Sequence, residues 1–415
     1  MAILRPRFWQ KVLVALLIVG VVPIAIVSAV SINNTRNDLT NLGVTNIQQR
    51  STSTASALDA YLQMRLGDIV LVAKLPDIVR FGANLNDANA KAAARQALTA
   101  AAARAPEYES VAVVAPDGKI VAASIASDEG TSVAFREYFL NAMKGASYIS
   151  DPSYSVITNK PALFFSAPIT DGQRVLAVVR TRVNLAAMWD IVETDLGSVG
   201  EGAHGFLVDD YGIRLAVSET KGHRDQAESL IYKPIAPIDA DTTAKLVADK
   251  RFGNIKTPDQ LVLDPLPTLK SALDVLPKGK QITAQFGYGA GPTEQRGVVT
   301  RLVAKPWAYI LAVPLTTYTK AADDATFNAL SVVVIGLLLS FIIGIALTRS
   351  LVGPLRRLVG EATAVSTGDV DLRVAQFDTR TGDDITREVA SAFDRMLNAL
   401  RFYALSDEPA TGGED

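Results

Sequence analysis

Two stretches without a single charged residue constrain the fold of this chain more than any other feature. They span residues 12–35 and 325–348, and each is 24 residues long. A helix of that length rises about 36 Å, which exceeds the hydrocarbon core of a bilayer at about 30 Å. Neither stretch has the polar face of an amphipathic helix. We therefore predict two transmembrane helices, the first at residues 12–32 and the second at residues 325–348.

A cleaved signal peptide is the alternative for the first stretch, although its apolar run is longer than the usual run of about 7–15 residues. The basic residues beside the two spans predict their orientation, because such residues collect on the cytoplasmic side. Residues 1–11 are then a cytoplasmic N-terminus, and residues 33–324 lie outside the cytoplasm. We expect a multi-pass protein of a bacterial inner membrane with both termini in the cytoplasm. The flanking basic residues are Arg5, Arg7, Lys11, Arg349, Arg356 and Arg357.

The composition excludes several classes of chemistry. The 415 residues contain no cysteine, which excludes disulfides, zinc–cysteine sites, iron–sulfur clusters and thiol catalysis. The net charge of −2 provides no basic field for nucleic acid. The two histidines, His204 and His223, lack a metal-ligand spacing such as HExxH. We expect no cofactor, no metal, no catalytic residue, no nucleic-acid partner and no enzymatic activity, and an envelope hydrolase is the least favoured alternative.

The portion between the spans alternates helical patterns with short apolar runs. Residues 36–80 and 88–104 have helical periodicity and composition. Two pairs of β-rich runs, each joined by Asp-Gly, predict antiparallel hairpins. This order then partly repeats, with a polar insertion at residues 221–275 that predicts loops and short helices. The predicted strands lie at residues 111–114, 120–123, 161–169, 174–184, 206–217, 281–288, 296–304 and 307–313.

This order of elements resembles the double Cache family of extracellular sensor domains. Four strings carry the resemblance: PDGKIVAAS, FREYFLNAMKG, YISDPSYSVITNKPALFFSAPI and KPWAYILAVPL. The resemblance implies an α+β fold with two PAS-like antiparallel-sheet modules on a long N-terminal helix. It places a distal module at about residues 80–190 and a proximal module at about residues 196–315. It also implies that a small molecule binds outside the cell, usually in the membrane-distal module.

Two short heptad seams follow the second span. The apolar positions in each seam are spaced 4, 3, 4 and 3 residues apart, as in a coiled coil. An extended connector with Gly368-Asp369 and Gly382-Asp383-Asp384 separates them. Two such helices cannot bury their seams alone, whereas a parallel four-helix bundle in a dimer can. The seams are Leu351, Leu355, Leu358, Ala362 and Val365, then Val389, Phe393, Met396, Leu400 and Tyr403.

Residues 349–402 resemble a HAMP domain. The resemblance implies a parallel helical coiled coil that forms a homodimer and relays a signal. Two features depart from the usual HAMP pattern: Asp384 replaces the usual Glu, and Phe393 follows Ile385 by eight residues instead of seven. The register at the start of the second helix therefore stays open. We expect residues 403–415 to be disordered, and the output to lie in a separate kinase, phosphatase or chemotaxis-type protein. The predicted signalling residues are Pro354, Leu355, Leu358, Glu361, Gly368, Asp384, Val389, Phe393 and Met396.

The candidate ligand residues cluster in the distal module. In the double Cache family an arginine at the position of Arg136 commonly holds a ligand carboxylate, and a guanidinium can do so with two hydrogen bonds. Arg182 stands near the position of the acidic group that would bind an α-amino group, so the resemblance favours a small organic acid over an amino acid. The predicted ligand-binding residues are Arg136, Tyr138, Phe139, Tyr148, Asp151, Tyr154 and Arg182.

Each of these residues has a structural alternative. Arg136 could bridge a helix to a loop carboxylate, and Asp151 could form a turn with Pro152. Tyr154 could belong to the core, and Arg182 could be solvated.

Three readings of the whole chain follow. The favoured one is a transmembrane receptor for a small ligand. The alternatives are an accessory or assembly subunit whose Cache modules bind a protein, and a fragment of a longer histidine kinase, cyclase or chemoreceptor. A hollow lined by Arg136 and Tyr138 would favour sensing, whereas a filled core would favour assembly.

Overall fold

The computed structural model of the chain describes residues 18–194, 196–218, 231–253 and 260–347, together with isolated positions. It divides into two compact units. One comprises residues 37–320, and the other comprises the described residues on either side of that range. The isolated described positions are 11, 14, 15, 257, 349, 350, 359, 360, 363, 388, 391, 392, 395, 396, 398 and 399.

Nine α-helices occur among the described residues. The longest is α1, with 52 residues, and the last is α9, with 33 residues. Two helical stretches, Ile18–Ala73 and Leu315–Leu347, are long and apolar enough to cross a membrane. The helices are α1 (Val22–Ala73), α2 (Pro76–Ala83), α3 (Ala88–Ala102), α4 (Glu137–Met143), α5 (Ala186–Glu193), α6 (Leu196–Val199), α7 (Ala240–Ala248), α8 (Pro267–Val275) and α9 (Leu315–Leu347).

Local residue chemistry explains where the first helices end and begin. The sequence predicts one helix over residues 36–80, but α1 ends at Ala73 and α2 begins at Pro76. Proline lacks the N–H that a continuing helix needs, whereas it is well suited to a first turn. Helix α3 begins after Asp87, whose carboxylate accepts hydrogen bonds from the N–H groups of Asn89 and Ala90 at 2.9 and 3.0 Å.

The first sheet and its helices lie in the range predicted for the distal module, and we keep that name for them. It has six strands in the order β2-β1-β6-β5-β3, and β4 pairs with β5. Both predicted hairpins are present, and Gly118 at the turn between β1 and β2 has φ 84°. A side chain at Gly118 would lie 2.8 Å from the backbone nitrogen of Ala134, so the turn requires glycine. The strands are β1 (Tyr108–Val114), β2 (Ile120–Ala123), β3 (Tyr148–Ile149), β4 (Ser153–Tyr154), β5 (Pro161–Asp171) and β6 (Arg174–Val183).

The second sheet and its helices lie in the range predicted for the proximal module, and we keep that name for them. It has five antiparallel strands in the order β8-β7-β11-β10-β9. Helices α7 and α8 lie in the segment that the sequence predicts as an insertion between β8 and β9. The strands are β7 (His204–Val208), β8 (Arg214–Val217), β9 (Thr283–Tyr288), β10 (Gln295–Arg301) and β11 (Ala308–Pro314).

The two faces of the distal sheet have different partners. Val111, Val113 and Val179 belong to the same buried cluster as Leu58 and Leu62 of α1. The alternate residues of these strands face the other way and pack with α4, because successive side chains in a strand point to opposite faces. This second cluster contains Ala112, Val114, Tyr138, Phe139, Phe164 and Val178. The helices and sheets confirm the predicted α+β class with two antiparallel-sheet modules.

Most of the predicted HAMP signalling residues lie outside the described part of the chain. Met396 is described, and it is helical with half of its side chain exposed. The other predicted signalling residues lie outside the described residues: Pro354, Leu355, Leu358, Glu361, Gly368, Asp384, Val389 and Phe393.

Candidate functional site

A cavity of about 230 Å³ lies between the two modules of the 37–320 unit. Its distal wall comes from the start of α4 and the loop around β3 and β4. Its proximal wall comes from the turn after β7, the end of α7 and the turn before β11. The lining residues are Arg136, Glu137, Tyr138, Tyr148, Ser150, Asp151 and Ser153 of the distal module, and Asp210, Tyr211, Leu246, Asp249, Arg251, Lys305 and Pro306 of the proximal module.

Arg136 is a buried guanidinium in the wall of this cavity, with only 3% of its surface exposed. It donates hydrogen bonds to neutral oxygens: Ser153 Oγ at 3.2 Å, the Tyr154 carbonyl at 2.7 Å and the Asp249 carbonyl at 2.5 Å. It forms no ion pair with the described residues, and burial lowers its pKa. An arginine stays protonated in proteins nonetheless, so the cavity wall carries a cation that forms no direct ion pair among these residues, although the charge of Asp249 acts on it.

Asp151, in contrast, is fully neutralised by the proximal module. Its carboxylate lies 2.8 Å from Arg251 and 3.0 Å from Lys305, and it accepts the indole N–H of Trp307 at 2.7 Å. Burial alone would raise the pKa of Asp151, but the two cations outweigh it and hold that pKa well below its usual range. Asp151 therefore holds the two modules together as well as lining the cavity.

Three further acidic residues line the cavity: Glu137, Asp210 and Asp249. Glu137 accepts a hydrogen bond from the Tyr148 hydroxyl at 3.0 Å. Burial and the neighbouring charge of Glu137 raise the pKa of Asp249 and outweigh the opposing effect of Arg136 and Arg251. Burial, Glu137 and Asp151 likewise raise the pKa of Tyr148. The wall of the cavity thus combines the cation of Arg136 with carboxylates and phenol groups that can accept or donate hydrogen bonds.

Two of the predicted aromatic residues serve other contacts. Phe139 belongs to the packed cluster beneath α4 and does not line the cavity. Tyr154 lies against Tyr232, with ring centroids 5.4 Å apart, and its N–H donates to the Lys250 carbonyl at 3.0 Å. Tyr138 does line the cavity, and its ring also stacks on Phe164 at 4.9 Å.

Arg182 lies away from the cavity, in a buried ion-pair cluster of the distal sheet. It shares the carboxylate of Asp128 with Arg180, at 3.0 and 3.1 Å respectively. Arg182 also lies 2.9 Å from Glu109, and Ser110 donates its hydroxyl to Asp128 at 2.6 Å. The structure thus brings four of the seven predicted ligand residues to the cavity: Arg136, Tyr138, Tyr148 and Asp151.

The proximal wall was not found by sequence reasoning. Asp249 and Arg251 stand in a polar insertion that reads as loops and short helices, and no motif marks them. Lys305 lies in the string KPWAYILAVPL, which carries the family resemblance but no predicted ligand contact. Among the described residues, no group of three or more His, Cys, Asp or Glu side chains could hold a metal ion.

Comparisons with known proteins find a family match in the C-terminal part and a similar fold for the part before it. A family model described as the HAMP domain matches residues 346–402. The sensor domain of the V. cholerae histidine kinase DctB is similar in structure, with 11% identity and a TM-score of 0.51 over 65% of this chain and 96% of that domain. A comparison with curated proteins finds no match.

Other solved structures are also similar, with lower scores. The ligand-binding domain of the Campylobacter jejuni chemoreceptor Tlp3, in complex with 4-methylisoleucine, has 11% identity and a TM-score of 0.46 over 68% of this chain and 94% of that one. That of the Pseudomonas fluorescens chemoreceptor CtaA, in complex with L-leucine, has 15% identity and a TM-score of 0.43 over 68% and 97%.

These findings define a class of protein. The part of the chain between the two apolar helices has the fold of the DctB sensor domain, with two antiparallel sheets. The chain also carries a HAMP domain and two helices that are apolar enough to span a membrane. This combination is typical of membrane receptors for signal transduction, and it suggests a protein of the inner membrane.

Proposed function

We propose that this chain is a transmembrane receptor that senses a small extracytoplasmic carboxylate and relays the signal through its second span and HAMP domain. Residues 33–324 face the outside, and both termini lie in the cytoplasm. The HAMP domain forms a homodimer and passes the signal to a separate kinase, phosphatase or chemotaxis-type protein. The basic residues beside the spans support this orientation.

The single observation that carries the proposal is the hollow beside Arg136. A buried cation whose hydrogen bonds go only to neutral oxygens, with the charge of Asp249 acting on it but no direct ion pair among the described residues, has an electrostatic reason to bind an anion. The cavity, at about 230 Å³, is of the size of a small metabolite rather than a peptide. A hollow lined by Arg136 and Tyr138 supports sensing over a purely structural assembly role.

The signal requires that the ligand prefers one conformation of the receptor. A ligand shifts an equilibrium only by its difference in affinity for the two states. A carboxylate that binds Arg136 would compete with the carbonyls of Tyr154 and Asp249 for the same guanidinium. Ligand binding would therefore change the contacts of Arg136, which gives the two states different affinities.

The proposal is tested by calorimetry on the full chain in lipid nanodiscs. One series of titrations uses acetate, lactate and succinate, and the other uses glycine, alanine and leucine. We expect an organic acid to bind and Arg136→Lys to weaken it roughly tenfold to a hundredfold, because a lysine cannot replace the two-pronged guanidinium contact.

Arg174→Lys is the matched control, since Arg174 is an exposed arginine of the same module. It should leave the affinity unchanged. Tight binding of amino acids without binding of organic acids would overturn the choice of ligand class. An Arg136→Lys variant that binds as tightly as the parent would overturn the choice of site.

A further inference from the structure

Contacts between the modules surround the cavity on both sides. Arg136 of the distal module donates to the Asp249 carbonyl at 2.5 Å, and the backbone N–H of Tyr154 donates to the Lys250 carbonyl at 3.0 Å. On the other side, Lys305 donates to the Ile149 carbonyl at 3.1 Å. The same ammonium lies over the rings of Tyr148 and Trp307, 5.2 and 5.7 Å from the centroids.

Arg251 occupies the centre of this junction. It forms ion pairs with Asp151 of the distal module, at 2.8 Å, and with Asp209 of its own module. Arg251 and Asp209 are almost completely buried, with 5% and 1% of their surfaces exposed. Asp209 is fixed in turn, because it accepts the N–H groups of Tyr211 and Ile213 at 2.9 and 2.8 Å. Arg251 thus connects a rigid turn of the proximal module to a loop of the distal module.

The charges around Arg251 explain why this residue is important for the contact between the modules. Asp151 and Asp209 are two carboxylates that approach the same guanidinium from different modules. Without Arg251 they would face each other across a poorly solvated gap with one cation fewer, and like charges repel strongly there. Removing one partner from a buried ion pair is costly because the remaining charge is uncompensated. Two responses relieve this repulsion: Asp209, whose pKa burial already raises to about 6, takes up a proton, or the modules separate and admit water. The second response changes the distance between the modules.

We propose that the ligand cavity is a site shared by the two modules, with Asp249 and Arg251 as its proximal wall and Arg251 as the residue that positions this wall against Asp151. The inference rests on the proposed function, because it assigns new residues and a regulatory contact to the same cavity. A ligand between the two walls contacts both modules, so its binding directly affects the contacts between them.

The distance between the modules provides a test that needs no ligand. Because the chain contains no cysteine, Gln96→Cys in α3 and Val275→Cys in α8 introduce two defined attachment sites for spin labels. Both positions are exposed, and neither lines the cavity. Pulsed electron paramagnetic resonance on the full chain in nanodiscs then gives the distribution of distances between the distal and proximal modules.

We expect Arg251→Met to lengthen or broaden that distribution by roughly 2 Å or more, the scale of a domain rearrangement. Asp151→Asn, which keeps the shape of the side chain, should give a smaller change in the same direction. Arg296→Met is the control, since it removes an exposed ion pair with Glu294, at 3.0 Å, from the proximal module. It should leave the distribution unchanged.

The proposal is overturned if Arg251→Met and Asp151→Asn both give the parent distribution. If Arg251→Met does not fold, Asp151→Asn decides the question alone. The distance measurement uses no ligand, so its result is independent of the calorimetric result. Either the inferred junction or the proposed ligand binding can therefore be refuted while the other is supported.

Discussion

Trp307 donates its indole N–H to a carboxylate oxygen of Asp151 across 2.7 Å, and the two residues belong to different modules. Lys305 lies 3.0 Å from the same carboxylate, so the short segment before β11 holds the distal loop at two points. A partly buried carboxylate with two cations and an indole donor is strongly favoured in its charged form. The junction between the modules therefore depends on the ionisation of Asp151.

This dependence predicts loss of stability in acid. The pKa of Asp151 is depressed in the folded protein, from an ordinary value of 3.8, so its contribution is complete above that value and is lost as the pH falls below it. Asp151→Asn should lower the free energy of unfolding by about 3 kcal/mol at neutral pH. The difference from the parent should shrink below about pH 3. Thermal unfolding of both proteins from pH 7 to pH 2 measures it, and a difference that stays constant with pH would contradict the prediction.

A second prediction concerns two glycines of α1. A methyl group at Gly43 would lie 2.5 Å from the ring of Tyr318, whereas a methyl group at Gly67 would meet nothing within 4 Å. Alanine is favoured over glycine in a helix by about 1 kcal/mol, but overpacking costs about 1–3 kcal/mol. Gly67→Ala should therefore raise the thermal midpoint of unfolding. Gly43→Ala should leave that midpoint unchanged or lower it.

The pair of variants separates packing from helix propensity, because both changes are the same and both lie in one helix. Gly43→Ala should also displace Tyr318 near the start of α9, the helix that contains the second candidate span. Equal increases in thermal midpoint for the two variants would show that Tyr318 yields without cost.

A third prediction tests the homodimer expected from the heptad seams. Met396 lies on the second seam, and Asn398 lies two residues later, off the seam. Seam positions in a parallel bundle face the partner chain, so cysteines there come within disulfide distance. In membranes treated with an oxidant, Met396→Cys should give cross-linked dimers several-fold more than Asn398→Cys. Similar yields from both variants would argue against this seam, and the natural absence of cysteine gives a clean background.

The sequence predicted the scaffold of the sensor portion because its signals are local. The Asp-Gly pairs at residues 117–118 and 171–172 lie at hairpin turns, and the apolar runs beside them form the paired strands. Helix α3 follows from a run of alanines after an N-cap aspartate. Each of these features depends on residues within a few positions of one another, which a pattern can reveal.

The second wall of the cavity could not be predicted because it depends on distant residues. Arg136 meets Asp249 across 113 positions of sequence, and Trp307 meets Asp151 across 156. Asp249 and Arg251 stand in a polar insertion without periodicity, so no local signal marks their role. The sequence predicted that Arg180 and Arg182 lie on one face of a strand. It did not predict which carboxylate binds both of them.

That carboxylate belongs to Asp128, and it leads to the last prediction. Asp128 has 1% of its surface exposed and accepts hydrogen bonds from Arg180, Arg182 and Ser110. Asp128→Asn preserves the shape of the side chain but leaves two buried guanidinium groups with less opposing charge. We expect a loss of about 3–5 kcal/mol in the free energy of unfolding. Asp171→Asn, at an exposed turn of the same module, should change it by no more than about 0.5 kcal/mol. Denaturant unfolding of the full chain, monitored by intrinsic tryptophan fluorescence, measures both; equal midpoints for the two variants would mean that Glu109 alone neutralises the cluster.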